Sequence, residues 1–192
     1  ARQEVKKPDR FFLSQLDITR EQVARAFVKK VHKKAGKIDI LINNAGYSNK
    51  PTRVEKLSTK EFQKNLSFNL ISAFLMCKNV IPIFRKQKRG LIINIASMAG
   101  KRAVPRLAAY SASKFGVVAL SQSIAKENND VNLKCITVCP GGMNTPMRAK
   151  LFGSQDAQKQ QSPEFVADVI MRVVQEKIHV KSGGDIVIRH GK

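Results

Sequence analysis

The feature that most limits what this chain can fold into is a set of short segments that are apolar at consecutive rather than alternate positions. Ile38 to Ile42 (apart from Asp39), Leu91 to Ile95 and Leu133 to Val138 are such segments. A strand is apolar on both faces only where both faces are covered, which is the situation of a parallel sheet between layers of helices. The stretches between them have helical spacing. Thr19, with Gln22 three positions on, is expected to cap a helix running to about Ala35, since Val23, Phe27 and Val31 share one face and Gly36 ends it. Ser58 with Glu61 predicts a capping box, followed by a helix carrying Phe62, Leu66, Leu70, Phe74 and Met76 towards Pro82. Two more helices are expected, from about Ala109 to Glu127 and from Ser162-Pro163 to about Glu176.

Further strands are predicted at Phe11-Phe12-Leu13 with Leu16, ending at Asp17-Ile18, and at Asp185 to Arg189. The polar stretch Arg148 to Gln161 reads as a loop or small lobe. No internal repeat and no second domain are visible, so residues 1–192 are expected to form a single α/β domain. Ligands of such sheets bind beyond the carboxyl ends of the strands. That rule brings Asp17-Ile18, Asn43 to Gly46, Ala96-Ser97 and Pro140 to Gly142 to one rim.

Composition narrows the functional classes. Cys77, Cys135 and Cys139 lack metal-like spacing, no metal site is expected, and the thiols read as inert core groups of a reducing cytoplasm. The apolar runs are far shorter than the roughly 20 residues of a membrane helix, and residues 1–10 contain no secretory signal, so no membrane role is expected. Thirty-five Lys and Arg against 14 Asp and Glu give a net charge of +21. Such a charge fits either a solvated basic face, as around Lys29-Lys30 and Lys33-Lys34, or binding to nucleic acid. No zinc-finger spacing or RNA-recognition signature supports the second reading.

The chemistry concentrates in Tyr110-Ser-Ala-Ser-Lys114, with Ser97 thirteen residues before the tyrosine. Positions i and i+4 share a helix face, so Tyr110 and Lys114 are expected to point into the same space. An ammonium beside a phenol favours the phenolate and lowers its pKa from about 10. Such a tyrosine can exchange a proton with a carbonyl or alcohol oxygen, and Ser97 can hydrogen-bond that oxygen. Around this pair stand Asn43-Asn44-Ala45-Gly46 after one strand, Asn69 on the following helix, and Pro140-Gly141 with Thr145 four places on.

With that order and spacing, the chain from Phe11 onward resembles the short-chain dehydrogenase/reductase family. The resemblance implies a Rossmann-like doubly wound sheet and reversible hydride transfer between NAD or NADP and a carbonyl or secondary alcohol. By it, Asn69, Ser97, Tyr110 and Lys114 match a catalytic tetrad. Tyr110 is then the acid/base, Lys114 lowers its pKa and binds the nicotinamide ribose, Ser97 holds the substrate oxygen, and Asn69 steadies a water leading from Lys114 to solvent. Asp17 and Ile18 match the pair contacting adenine, and Asn43, Ala45 and Gly46 the motif lining the adenosine side, though Asn43 and Asn44 equally suit a role tying strands together. Pro140, Gly141 and Thr145 match the loop under the nicotinamide. Met98, Val104, Met143 and the segment 148–161 are expected around the substrate. The helices from Ser58 to about Asn79 and from about Ala109 to Glu127 match the family's pairing helices, which implies a homodimer or homotetramer.

The family's glycine-rich turn TGxxxGxG, whose amides and helix N-terminus hold the pyrophosphate, does not occur in the 192 residues. The first two strands of the family are therefore expected to be missing, by truncation or in a natural short variant, and the 192 residues alone are expected to bind NAD(P) weakly. The choice between NAD and NADP is not determined by what is present. The competing expectation is a non-catalytic remnant acting as a basic nucleic-acid-binding or scaffold module.

Overall fold

The computed structural model describes residues 12–189. Their elements are α1 (Glu21–Ala35), β1 (Ile40–Asn43), α2 (Thr59–Leu66), α3 (Ser72–Gln87), β2 (Arg89–Ile95), α4 (Ala108–Glu127), β3 (Asn132–Pro140), α5 (Pro146–Phe152), α6 (Ser154–Gln158), α7 (Pro163–Val174) and β4 (Asp185–Ile188). The strands form one four-stranded sheet in the order β1-β2-β3-β4, parallel throughout. The expected α/β doubly wound architecture is present, because successive side chains of β2 and β3 enter different cores. Ile92 and Cys135 meet Val28 of α1, Val80 and Phe84 of α3 and Ile124 of α4 on one face. Ile93, Ile95, Ile136 and Val138 meet Val166 and Val173 of α7 on the other.

The strands are tied by a buried polar ladder as well as by backbone. Asn43 and Asn94 are register partners, and the Asn43 Nδ2 donates to the Asn94 Oδ1 at 2.8 Å. The Asn94 Nδ2 donates in turn to the Ser121 Oγ of α4 at 2.8 Å. A fully buried carboxamide requires such partners, since an unmet polar group costs about 1–3 kcal/mol.

Three expectations are corrected. No strand forms over the described part of the segment expected at 11–18; Phe11 itself lies outside the described residues. A strand exists only against a partner, and among the described residues none lies beside it. Phe12 instead stacks on Phe27 of α1 at 6.5 Å between ring centroids, with Lys30 and Lys34 each 4.7 Å from its ring. The helix cap is also different. Thr19 gives its hydroxyl to the Asp17 carboxylate, and α1 begins after Arg20 with no side-chain cap. Thirdly, the stretch 148–161 is helical in part, carrying most of α5 and all of α6. Thr145 caps α5 by accepting from the Arg148 N–H, and Pro146 occupies its first turn.

The Ser58 cap is as expected: its Oγ accepts from the Glu61 N–H at 3.2 Å. The helix it opens runs through a π-helical turn (Ser67–Ile71) into α3, passing Pro82, so that one helical segment spans Thr59–Gln87. By length and composition alone this helix could cross a membrane, with a mean hydropathy of 1.5 over its most apolar window. Counting consecutive apolar residues missed it because serine and asparagine interrupt the run. Its apolar side is committed elsewhere: Leu75, Met76, Cys77, Val80 and Phe84 are buried in the sheet core.

Candidate active site

The rim at the carboxyl ends of β1, β2 and β3 carries the site. Ser97 follows β2 and turns the chain into a short 3-10 turn (Met98–Gly100), its Oγ accepting the Ala99 N–H at 3.1 Å. The first turns of α4 bring Tyr110 and Lys114 to the same rim, one helical turn apart. The Lys114 Nζ lies 5.8 Å from the Tyr110 ring centroid and donates to the Ile95 carbonyl at the end of β2, at 2.8 Å. Lys114 is buried, at 4% exposure. Burial disfavours its charged form and lowers its pKa to about 8.

Tyr110 departs from expectation in one respect. Its pKa is raised rather than lowered, because burial of the phenol outweighs every favourable contact. A polar contact from Ser97 pulls it back, while the Lys114 ammonium is turned towards the Ile95 carbonyl. At neutral pH the hydroxyl therefore holds its proton.

Asn69 sits within the π-helical turn, where the extra residue per turn changes the direction of the side chain. It is buried, at 2% exposure, and all its bonds go to fixed neighbours. Oδ1 accepts the Tyr47 N–H at 2.7 Å, and Nδ2 donates to the Tyr47 carbonyl and the Ser113 Oγ, each at 2.8 Å. Ser113 donates to the Tyr110 carbonyl, so Asn69 holds the helix turn that carries the tyrosine. A Cβ added to Gly46 would stand 3.4 Å from Asn69 Oδ1 and 3.8 Å from Lys114 Nζ, which puts Gly46 between the two.

Two cavities open on this rim and share Tyr110, Met143, Thr145 and Met147 as a common wall. One, of about 580 Å³, is lined by Asn44, Gly46, Lys114 and apolar residues of β2 and α7, including Ile95, Val166 and Ile170. The other, of about 190 Å³, is lined by Ser97, Met98, Val104, Gly141, Arg148 and Phe152 among others. Ser97, Tyr110, Lys114, Gly46, Gly141 and Thr145 thus come together, with Asn69 directly behind.

The remaining expected residues do not line either cavity. The Asp17 carboxylate is exposed and engaged by Thr19, whose hydroxyl lowers its pKa, and Ile18 packs against the core under α1. Both were expected on the rim because a strand was expected to lead there. Asn43 is spent on Asn94, Ala45 is exposed, and Pro140 is buried at the end of β3. Asn44, from the Asn43 to Gly46 motif, and Leu151, from the segment expected around the substrate, line the cavities, and so do Met147 and Ile170, which had not been singled out. The Thr145-Pro146 pair, a helix start in its own right, was the available signal for Met147. The cysteines are free and buried as expected, and burial pushes Cys77 and Cys135 up to about 12 and Cys139 up to about 11.

Comparison with known proteins agrees with this layout. A family model described as short chain dehydrogenase matches residues 1–156. The oxidoreductase BOA17 of Botryotinia fuckeliana is 30% identical over 96% of this chain and 75% of its own length. Three other curated relatives are matched over about half their length. Among solved structures, ElxO with NADP bound is 27% identical with a TM-score of 0.83, covering 91% of this chain and 75% of that one. A 3-ketoacyl-(acyl-carrier-protein) reductase of Brucella melitensis complexed with NADH is 27% identical with a TM-score of 0.84, covering 92% and 76%.

Proposed function

This chain belongs to the short-chain dehydrogenase family, and from that premise we propose that it catalyses reversible hydride transfer between NAD or NADP and a small carbonyl or secondary alcohol, with Tyr110 as the acid/base. The observation that carries the proposal is the Tyr110 phenol in the wall between two cavities, one lined by Ser97 and the other by Lys114, which is one helical turn along α4.

The larger cavity fits the nicotinamide half of such a cofactor. Apolar walls from Ile95, Val166 and Ile170 suit a flat ring, while Lys114, Asn44 and Thr145 offer groups for ribose hydroxyls and a carboxamide. Gly46 leaves the space beside Lys114 open, which a side chain would fill. No glycine-rich turn among the described residues offers itself to the phosphates. A nicotinamide bound there supplies or accepts the hydride. The chain's own residues do the rest. Ser97 holds the substrate oxygen, and Tyr110, protonated because burial raises its pKa, gives that oxygen its proton in the reductive direction. In the oxidative direction the phenolate must form first, so oxidation demands higher pH than reduction. Lys114 keeps a positive charge below about pH 8, which serves to hold the ribose hydroxyls. Asn69 fixes the turn carrying Tyr110 through Ser113.

The assembly reading is a homodimer or homotetramer. Phe68, Ile71, Phe74 and Phe115 are each about two-fifths exposed on α4 and the helix before β2, an apolar surface that a second copy would cover. Val118, on the same helix as Phe115, is buried and does not contribute to it. Light scattering at physiological ionic strength tests this, and a mass of one subunit at micromolar concentration contradicts it. The cofactor reading is tested by calorimetric titration of the full-length protein with NADPH and NADH. Binding of either that weakens when Lys114 is changed to Met supports it, and binding of neither contradicts it.

A further inference from the structure

The smaller cavity has a chemical character that hydride transfer alone does not require. Its wall beyond Tyr110 is apolar, made by Met98, Val104, Leu107, Met143, Leu151 and Phe152. Methionines make such a wall adaptable in shape. Into it reaches one charged side chain, Arg148, from α5.

Arg148 is held in place from two sides. Its Nε and Nη2 donate to the two oxygens of Asp156, at 2.6 and 3.1 Å, across the α5–α6 corner. Its Cζ lies 4.7 Å from the Phe152 ring centroid. A guanidinium so clamped has its edge and plane fixed, and little side-chain freedom is left to lose on binding. Nη1 is left over, with no hydrogen bond among the described residues. It lies beside the backbone of Gly142, where an added Cβ would stand 3.1 Å from Nη1 and 2.0 Å from the Gln160 Oε1. A donor set with two members occupied and one free at a cavity wall is suited to an acceptor oxygen brought in by a ligand.

The surroundings favour a negatively charged acceptor. The loop that supplies Val104 and Leu107 also carries Lys101, Arg102 and Arg106, with Arg102 and Arg106 exposed and only Lys101 paired, to Asp185. The chain as a whole carries +21. A field of that sign draws anions towards the mouth.

From these observations we infer that the substrates are oxo acids and hydroxy acids with an apolar chain, whose carboxylate is held by the free Nη1 of Arg148 while the reacting carbon lies at Ser97 and Tyr110. The inference rests on the hydride-transfer reading and adds the substrate class to it. The chemistry stays balanced: the carbonyl carbon takes the hydride of the reduced nicotinamide, the carbonyl oxygen takes the Tyr110 proton, the nicotinamide is left oxidised and the carboxylate is unchanged. Arg148 acts on binding, so its effect falls on KM.

The test compares straight-chain oxoalkanoates with their methyl esters, which keep the chain and remove the charge. Initial rates are measured on the full-length protein with NADPH and NADH. The wild type is expected to prefer acid over ester by roughly 10–100-fold in kcat/KM, the usual range for one hydrogen bond to a charged group, and through KM. Arg148→Met is expected to bring that ratio to about one. Because its loss also strands Asp156, the second variant is Gly142→Ala, which retains the Arg148–Asp156 pair and crowds Nη1 with a methyl. It should reduce the ratio as well once the Gln160 carboxamide, which the same methyl would meet at 2.0 Å, has swung aside, with rates measured well below the melting temperature of each variant. An ester turned over as well as its acid by the wild type, or a ratio untouched by both substitutions, overturns the inference and leaves the hydride-transfer reading standing. Failure of the wild type to turn over either series with either cofactor overturns both.

Discussion

Gly100→Ala perturbs the site through a contact that no side chain at present makes. Gly100 ends the 3-10 turn after Ser97, and its backbone lies against the main chain of α4. An added Cβ would stand 2.7 Å from the Lys114 carbonyl oxygen and 2.9 Å from its carbon. Ordinary contact requires about 3.4 Å or more, so something must move by roughly 0.5–1 Å. The helix cannot yield easily, since Lys114 is buried in the middle of a 20-residue element. The turn moves instead, and Ser97 with it, because the Gly100 N–H donates to the Ser97 carbonyl at 2.8 Å. Overpacking of this kind costs about 1–3 kcal/mol, which lowers the melting temperature by several degrees. Displacement of Ser97 by half an ångström or more should reduce kcat by about 10- to 100-fold. Gly90→Ala is the matched control. Its Cβ would stand 2.2 Å from the buried Phe84 ring, at the opposite end of β2 from the site. Melting by circular dichroism and turnover well below both midpoints separate the two. The reasoning is refuted if Gly100→Ala keeps both its melting temperature and its kcat, or loses no more kcat than Gly90→Ala.

Two further outcomes follow from buried titrating groups. Folding lowers the Lys114 pKa from the ordinary 10.5 to about 8, so below pH 8 the folded chain carries an unfavourable buried charge worth about 3 kcal/mol; stability is regained as pH rises from 8 towards 10.5, where the unfolded chain still holds the proton. Lys114→Met should therefore be more stable than the wild type at pH 7 in urea melts, by up to about 3 kcal/mol, with the gap closing above pH 10, and it should be inactive; a less stable variant at pH 7 contradicts this. Burial raises the pKa of Cys77 and Cys135 to about 12 and of Cys139 to about 11, so their contribution to stability is intact below about pH 9 and is lost as pH rises through those values. A disulfide reagent at pH 8 should find no reactive thiol among these three until the chain is unfolded, and rapid native-state labelling of any one of them contradicts the burial.

The parts of this molecule that could be read from the chain are those set by local pattern. Ile92 and Ile93 point to opposite faces whatever surrounds them, so a run apolar at both positions implies a sheet with two covers. Tyr110 and Lys114 share a face because four residues make about one helical turn, and Ser97 follows a strand that could be recognised by its composition. What depended on partners was not legible. The segment from Phe12 to Asp17 has strand-like residues and no strand beside it, and Asp17 and Ile18 were misplaced with it. The direction of the Tyr110 shift depends on how deeply the phenol is buried and on where the Lys114 ammonium points, and spacing carries neither. Gly100 was silent for the same reason: its role is a distance to α4. The Arg148–Asp156 clamp joins two short helices in a stretch whose polar composition resembles a loop, although Thr145-Pro146 marked the start of the first.

The central claim is that the Tyr110 hydroxyl supplies the proton for reduction at the Ser97 side of the rim. Tyr110→Phe removes one oxygen and leaves the ring in the wall between the two cavities. The most direct measurement is the steady-state rate of carbonyl reduction by the full-length Tyr110→Phe protein beside the wild type, with dinucleotide affinity determined on the same samples. A fall in kcat of at least about 100-fold with cofactor affinity nearly unchanged is the result expected for loss of a general acid, whereas equal turnover by the two proteins would contradict the assignment of Tyr110 as the proton donor.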